Sequence, residues 1–263
     1  MRFLHHEHVV QQFNWKQMRV EGSVKIISTM LKMVPKPVRR SLSYGNARYC
    51  PVCESWVNKF FAAGTPRRND ARCPVCFSLE RHRLMWLFLK QRTNLFDGRP
   101  KHMLHVSPEL QLGQLMKKAC GSGYLSIDID PKKAMMPADI TRLPFDEDHF
   151  DVIYCSHVLE HIPDDRKAMS ELRRVLKTSG WAILQVPIKG AHTFEDFTAT
   201  TPEERLKQFG QVDHVRTYGA DYQDRLVESG FKVTADQYAK ELREDQARLN
   251  SIQRDEIIFF CRK

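Results

Sequence analysis

The chain has 263 residues, of which 42% are hydrophobic and 28% charged, which excludes a fibrous or low-complexity protein and is typical of a globular enzyme. No apolar run reaches the roughly 18–20 residues that span a bilayer, and the first residues lack the apolar centre of a secretion signal, so we expect a cytoplasmic protein. The net charge of +9 belongs to the front of the chain, because residues 1–101 hold 19 Lys and Arg against 6 Asp and Glu, and residues 102–263 hold 22 against 26. This basic part could face nucleic acid, anionic lipid or a phosphorylated substrate, or it could be solvated surface without a partner.

Residues 1–47 form a basic N-terminal extension. Residues 23–34 have the pattern of a basic amphipathic helix, which Pro35 and Pro37 then end. Such a helix can lie on a membrane surface, so peripheral membrane contact through residues 23–40 is one interpretation. The other is a helix packed on the neighbouring module, or a frayed leader.

Residues 48–95 contain two Cys-Pro-Val-Cys pairs separated by nineteen residues. Two residues between thiolates let both sulfurs of a pair reach one ion, and two such pairs complete the tetrahedral S₄ shell that suits Zn²⁺. Four cysteine ligands leave no open position, so this zinc is predicted to be structural. The odd total of seven cysteines argues against a disulfide framework. The predicted zinc ligands are Cys50, Cys53, Cys73 and Cys76.

A helix opened by Ser78 is predicted to join this module to the rest of the chain, because an apolar block from Leu84 to Leu89 follows. Arg81, His82 and Arg83 lie in its first turns. They could hold an anionic substrate, or they could be ordinary surface charges of a helix.

Residues 96–263 alternate short apolar strands with helical patterns, which predicts a parallel sheet with helices on both faces. Gly180 is predicted to cap the helix over residues 164–177, and a long insertion without regular structure is expected over residues 187–216 as a lid or binding loop. The predicted strands are His102–Ser107, Tyr124–Asp128, a short one ending at Asp139-Ile140, Phe150–Cys155, Trp181–Val186 and two more in residues 231–234 and 255–261.

Acidic and polar residues follow several of these strands, where ligands bind in such sheets. Asp128 ends the second strand, and a carboxylate there can accept hydrogen bonds from both ribose hydroxyls of an adenosine. Asp139 ends the third, where an acid can receive the adenine amino group. The first turn reads Ser107-Pro108-Glu109 and has no glycine, although most nucleotide-binding sheets are glycine-rich there.

Four motifs recur together in this part of the chain: Ala138-Asp139-Ile140, Leu143-Pro144-Phe145, Phe150-Asp151-Val152-Ile153 and His157-Val158-Leu159-Glu160-His161. As a set, they resemble the class I S-adenosylmethionine-dependent methyltransferases of the methyltransferase-11 type, over about residues 100–263. The cysteine pairs and the Asp213-His214-Val215-Arg216 segment resemble a bacterial subgroup that carries an N-terminal zinc module. The resemblance implies an α/β fold, with a Rossmann-like seven-stranded methyltransferase sheet, helices on both faces and a small N-terminal zinc-binding module.

The resemblance also implies S-adenosyl-L-methionine as cofactor, with ribose, adenine and methionine contacts spread over three strand ends. The wider family has a glycine-rich first loop and commonly an acid at the position of His105, and this chain lacks both. Altered contacts to the methionine part are therefore expected. The implied cofactor-binding residues are Ser107, Glu109, Asp128, Ile129, Asp139, Ile140 and Ser156.

The leading functional hypothesis is methyl transfer to an unidentified acceptor, such as a sugar or another small polar molecule. A hydroxyl acceptor needs a base, and imidazoles titrate near neutrality, so His214 and His157 are the catalytic candidates, with His161 as a further one. Two alternatives stay open: an RNA methyltransferase that uses the basic zinc module, and a non-catalytic binding module with the same fold. The sequence does not predict an oligomeric state.

Overall fold

The computed structural model of the protein describes residues 33–64 and 66–263. The helix predicted over residues 23–34 lies almost wholly outside these residues. The described part of the 23–40 segment contributes the start of α1 (Lys36–Leu42), a short helix that buries none of its residues. Across the two described ranges, no helix is long and apolar enough to cross a bilayer.

Two short antiparallel hairpins form the N-terminal module. The first pairs β1 (Arg48–Cys50) with β2 (Ser55–Val57), and the second pairs β3 (Phe61–Ala63) with β4 (Arg68–Arg72). Each cysteine pair lies at a tight turn: the first between β1 and β2, and the second directly after β4. The hairpins therefore bring the two turns, and with them the cysteines, to one place.

The helix that follows is α2 (Glu80–Arg92), and it begins after the predicted position. Leu79 is its extended N-cap residue, and the Leu79 N–H donates to His82 Nδ1 at 3.2 Å, so Ser78 does not cap the helix as predicted. The Ser78 hydroxyl lies instead 3.2 Å from the Sγ atoms of Cys50 and Cys76.

The sheet strands and the helices of residues 96–263 follow the predicted alternation, with shifted boundaries. The strands are β5 (Met103–Val106), β6 (Tyr124–Asp128), β7 (Met136–Pro137), β8 (Phe150–Ser156), β9 (Leu176–Gln185), β10 (Phe194–Glu195), β11 (Arg216–Thr217), β12 (Lys232–Asp236) and β13 (Ile258–Arg262). The helices are α3 (Leu110–Cys120), α4 (Asp165–Val175), α5 (Pro202–Phe209), α6 (Tyr222–Glu228), α7 (Tyr238–Glu241) and α8 (Glu244–Asn250).

Seven strands form one sheet in the order β12-β13-β9-β8-β5-β6-β7. The pairs from β7 across to β9 are parallel, and β13 runs antiparallel to both of its neighbours. This is the predicted Rossmann-like seven-stranded methyltransferase sheet. The strand order reverses at β5, so the ends of β5, β6 and β8 border the crevice where such sheets bind ligands.

The two faces of the sheet have separate hydrophobic cores. On one face, Leu104 and Val106 of β5 pack with Met169 and Leu172 of α4. On the other, Met103 packs in a cluster that also contains residues of α3, residues of α2 and the four cysteines of the N-terminal module. The module therefore shares a core with the sheet.

Arg83 forms hydrogen bonds that link the N-terminal module to the rest of the chain. Its side chain is fully buried, and its guanidinium donates to the carbonyls of Ala71 at 2.9 Å, Asn250 at 2.5 Å and Ser251 at 3.0 Å, as well as to that of Ser78 at 2.9 Å. Two of these carbonyls belong to the module and two lie at the C-terminal end of α8. Neither sequence interpretation of Arg83 is correct, because it is neither a surface charge nor free for a substrate.

The structure corrects two further predictions. Gly180 does not cap α4, since it lies inside β9, where an added Cβ would meet the Asp151 carbonyl oxygen at 2.8 Å. The insertion over residues 187–216 is not structureless. It contains β10, which pairs with the start of β11, and α5, which begins with a capping box between Thr201 and Glu204.

Candidate functional site

The four predicted zinc ligands converge. Their sulfur atoms all lie within 4.8 Å of one another, with Cys50 Sγ 3.6 Å from Cys76 Sγ and Cys53 Sγ 3.8 Å from Cys73 Sγ. Zn–S bonds of about 2.3 Å in a tetrahedron place sulfurs about 3.8 Å apart, so the spacing fits one Zn²⁺. The Ser78 hydroxyl lies 3.2 Å from two of the sulfurs and has one proton to donate to a thiolate, as outer-shell groups do in metal sites.

The first turn after β5 is tight although it has no glycine. Ser107 has a φ of +48°, a left-handed backbone conformation that residues other than glycine rarely adopt. Its N–H donates to the Ile127 carbonyl at 2.7 Å. Its hydroxyl donates to Asp128 Oδ2 at 2.6 Å. Ser107 thus takes the backbone role expected of a glycine and also orients the acid at the end of β6.

Asp128 is held in place at the strand end. Its carboxylate is almost fully buried, and its other oxygen accepts the Asp130 N–H at 2.9 Å. Each carboxylate oxygen has two lone pairs, so each can accept one further hydrogen bond from a ligand. The Asp128 carbonyl accepts the Ala138 N–H at 3.0 Å, which brings Asp139 to the neighbouring strand end.

The predicted adenine-binding residues differ in exposure. Asp139 is exposed, and its Oδ1 accepts the N–H and the hydroxyl of Thr141, both at 2.8 Å. The Ile140 side chain is in the hydrophobic core, so only its backbone can contact a ligand. Ile129 is 75% exposed beside the crevice and offers an apolar face.

Glu109 ends a buried chain of hydrogen bonds that sequence reasoning did not find. Its Oε2 lies 3.0 Å from His105 Nε2, and His105 Nδ1 lies 3.0 Å from the Tyr124 hydroxyl. Burial alone would raise the pKa of Glu109, but the hydrogen bond from His105 holds that pKa below its ordinary value. Glu109 is therefore a carboxylate, and its Oε1 has no hydrogen-bond partner among the described residues.

The start of α2 lies near this carboxylate. Glu109 and His157 both act electrostatically on His82, whose pKa burial lowers to about 3. Since His82 Nδ1 accepts from Leu79, its Nε2 carries the proton, and that atom is buried without a partner in the described part of the chain. The same holds for Nε of Arg81. The zinc module therefore borders the crevice through the first turn of α2.

A cavity of about 460 Å³ adjoins the crevice between α3 and the segment after β6. Its walls include Ser107, Glu109 and Asp128, but not Asp139, Ile140 or Ser156. It thus reaches the ribose and methionine side of the predicted site and not its adenine side.

The end of β8 carries Ser156, a predicted cofactor-binding residue, and His157, one of the two predicted catalytic residues. Ser156 is buried, and His157 follows it in a left-handed conformation with a φ of +57°. His157 Nδ1 lies 3.4 Å from Glu160 Oε1, and His157 Nε2 is buried with no partner in the ranges described.

The insertion brings His214 to the same place. The Val215 N–H donates to the Glu160 carbonyl at 3.0 Å, and the His214 ring lies 4.7 Å from that of His161, at right angles to it. Burial lowers the pKa of His214, so the imidazole is neutral at physiological pH. Arg216 fixes this arrangement, because its fully buried guanidinium donates to the carbonyls of residues 159, 162 and 163.

Comparison with known proteins finds a match between α3 and β9. A family model described as a methyltransferase domain, of the methyltransferase-11 type, matches residues 112–184. The chain is 35% identical over 66 residues to a sterol 4-C-methyltransferase of Caenorhabditis elegans, covering 25% of this chain and 20% of that protein. It is 40% identical over 55 residues to a demethylmenaquinone methyltransferase of Clavibacter sepedonicus, covering 21% and 22%.

Among solved structures, an S-adenosylmethionine-dependent methyltransferase from Mesorhizobium loti aligns with a TM-score of 0.48 at 15% identity, covering 68% of this chain and 96% of that one. The matches to curated relatives cover between 20% and 36% of those proteins' own length. The methyltransferase-11 resemblance is confirmed over the matched residues.

Proposed function

We propose that this chain, with its methyltransferase-type sheet, transfers a methyl group from S-adenosylmethionine to a hydroxyl of a small polar acceptor such as a sugar. The observation that carries the proposal is the Asp128 carboxylate, buried at the tip of the second strand and oriented by Ser107. A fixed acceptor at this strand end, beside the first crossover, suits a ribose.

The remaining crevice residues fit the other parts of the cofactor. Asp139 and the backbone of Ile140 follow β7, within reach of an adenine, and Ile129 would cover it from one side. The amino-acid end of the cofactor carries an ammonium and a carboxylate. Glu109 Oε1 and Arg81 Nε are buried and have no hydrogen-bond partners among the described residues, and the two groups carry opposite charges. Both charges influence the pKa of Tyr154, so both lie near that residue. We assign them to these two charges, in place of a glycine-rich loop.

When bound, the cofactor supplies a methyl group on a positively charged sulfur, which reacts by in-line displacement. The chain's own residues then have to position the acceptor and receive its proton. His157 and His214 are the two candidates, since both lie at the end of β8 and neither ring is fully exposed. The neutral state of His214 and the free Nε2 of His157 both suit proton acceptance.

The basic N-terminal part does not favour RNA as the acceptor. Part of its charge is engaged within the module, since four of its nineteen Lys and Arg have carbonyl or carboxylate partners there: Arg40, Arg48, Arg68 and Arg83. The net charge therefore overstates the free basic surface. We propose a structural role for the zinc module, which holds the first turn of α2 at the crevice.

Calorimetric titration with S-adenosylmethionine tests the cofactor site. Two hydrogen bonds to a charged group are worth about 1.5–3 kcal/mol each, so Asp128→Ala should weaken binding at least about tenfold. Asp130→Asn, two residues away, is the matched control and should bind as the wild type does. Equal affinity of the Asp128→Ala variant and the wild type would refute the site.

The acceptor is sought with methyl-labelled cofactor and fractionated cell extract. Transfer of the label to a fraction that contains small polar molecules supports the proposal. Label in RNA, with binding that weakens steeply as salt rises, would replace it with the RNA methyltransferase alternative. Binding of the cofactor without transfer to any fraction would favour the non-catalytic module.

A further inference from the structure

A second group of metal-binding side chains lies at the end of β8, apart from the cysteines. Glu160, His161 and His214 each offer one ligand atom, and these three atoms lie within 4.8 Å of one another. Glu160 and His161 belong to the 3₁₀ turn Leu159–His161, whereas His214 comes from the insertion. The group is therefore assembled by the fold and not by local sequence.

The Glu160 carboxylate lacks the partners that its burial requires. The residue is 1% exposed, and its Oε2 has no hydrogen-bond partner in the described part of the chain. Its Oε1 lies 3.4 Å from His157 Nδ1. A buried charged oxygen without a partner is costly, and a bound cation would satisfy it.

His161 has one ring nitrogen engaged and the other available for a ligand. His161 Nδ1 donates to the Asp213 carbonyl at 3.1 Å, which leaves the lone pair of the neutral ring on Nε2. Metal-binding histidines commonly donate their other N–H to a carbonyl or carboxylate in this way. Within the described ranges, no hydrogen bond or ion pair joins Glu160 to His161 or His214, although all three converge.

We propose that Glu160, His161 and His214 form a metal site for a divalent transition ion such as Zn²⁺. Two nitrogens and one carboxylate oxygen leave a coordination position open, as in catalytic metal sites and unlike the closed S₄ shell. Ligand atoms on a tetrahedral ion at about 2.1 Å lie about 3.4 Å apart, which is within the 4.8 Å that contains these three atoms. Because His214 comes from the insertion, the site depends on the position of that segment.

The function of this metal site rests on the proposed methyl transfer. If both are correct, the acceptor is a molecule with a hydroxyl that can ligate the ion. Metal coordination lowers the pKa of such a hydroxyl. The acceptor then gives its proton to His157 Nε2, its oxygen forms the new C–O bond, and the donor C–S bond breaks with the electron pair remaining on sulfur. In this arrangement His214 is a ligand, and His157 is the proton acceptor.

Metal content measures the site without reference to activity. We expect about two zinc equivalents per wild-type chain by mass spectrometry of the dialysed protein, one in each site. His161→Ala and His214→Ala should each lose one equivalent and keep the other, while both variants remain folded. His192→Ala is the matched control, since His192 is an exposed histidine of the same insertion, and it should keep both. Glu160→Gln provides a third variant if either alanine variant does not fold.

Cobalt substitution identifies which site is lost. The wild-type Co²⁺ spectrum should combine intense sulfur-to-metal bands with weaker nitrogen–oxygen bands, and only the weaker bands should disappear in His214→Ala. Equal metal content and equal spectra in the wild type, His161→Ala and His214→Ala would overturn the metal site. If the variants lose one equivalent but the wild type binds no S-adenosylmethionine, the metal site stands and the methyl-transfer proposal fails. If the wild type holds only the S₄ metal but transfers methyl groups at the full rate, the methyl-transfer proposal stands and the second metal site fails.

Discussion

Replacing Arg83 with Met tests whether one buried guanidinium joins the zinc module to the sheet. Met keeps much of the apolar contact with Phe60, over whose ring the guanidinium carbon lies at 4.1 Å, but it donates no hydrogen bond. The carbonyls of Ala71, Asn250 and Ser251 each lose a charged donor, whereas that of Ser78 keeps the Cys73 N–H. At about 1–3 kcal/mol for each carbonyl left unpaired, and with the desolvation of the charge relieved, we expect a loss of about 3–5 kcal/mol.

Guanidinium chloride unfolding, followed by fluorescence, measures this loss. A domain is stable by only about 5–15 kcal/mol, so the midpoint of Arg83→Met should fall clearly. Arg92→Met is the matched control: Arg92 lies on the same helix, but its side chain is 44% exposed and pairs with the exposed Glu241. The control should change stability by less than about 1 kcal/mol. A similar small change in Arg83→Met would refute the reasoning.

Two further predictions concern the module and the first turn of α2. Cys73→Ser should lose the zinc of the S₄ site and destabilise the module, because structural zinc contributes about 10–16 kcal/mol of apparent binding energy in small zinc domains. Cys120→Ser, outside the cluster, should keep that zinc, and a Cys73→Ser variant that holds as many zinc equivalents as the wild type would contradict the S₄ site. His82 has its pKa lowered to about 3 by burial, so the unfolded chain binds the proton first, and wild-type stability should fall below about pH 6.5 by up to about 1.4 kcal/mol per pH unit. His82→Gln keeps an acceptor for the Leu79 N–H and does not titrate, so its unfolding free energy should fall less between pH 6.5 and 5; parallel curves would show that His82 is not buried in its neutral form.

The sequence was sufficient where a short pattern has one physical solution. Paired cysteines at fixed spacing predict a common centre, and alternating strands and helices predict the parallel sheet and the strand ends at which Asp128 and His157 lie. These features depend on local spacing and on rules of topology, so no distant contact is needed to predict them.

The failures have a common physical cause in long-range packing. In the sequence, Arg83 has the pattern of a surface charge on a helix. Two of the carbonyls that accept its hydrogen bonds come from residues 167 and 168 positions further along the chain, and no local pattern predicts them. Gly180 follows a helical pattern, but it lies inside β9, where the close Asp151 carbonyl of the neighbouring strand leaves no room for a side chain. The sequence shows that the first turn lacks a glycine, and only the backbone shows that Ser107 adopts the left-handed conformation itself.

The core that the zinc module shares with one face of the sheet restricts how such a protein can evolve. Losing residues 48–95 would expose Met103, Leu112 and Met116 to solvent. An exposed apolar patch of this kind would make the remaining fragment prone to aggregation. A lineage could discard the module only by acquiring another cover, or by changing that whole face to polar residues at once. We therefore expect the two parts to be retained together, although the sequence is divided like a small appendage followed by a separate α/β domain.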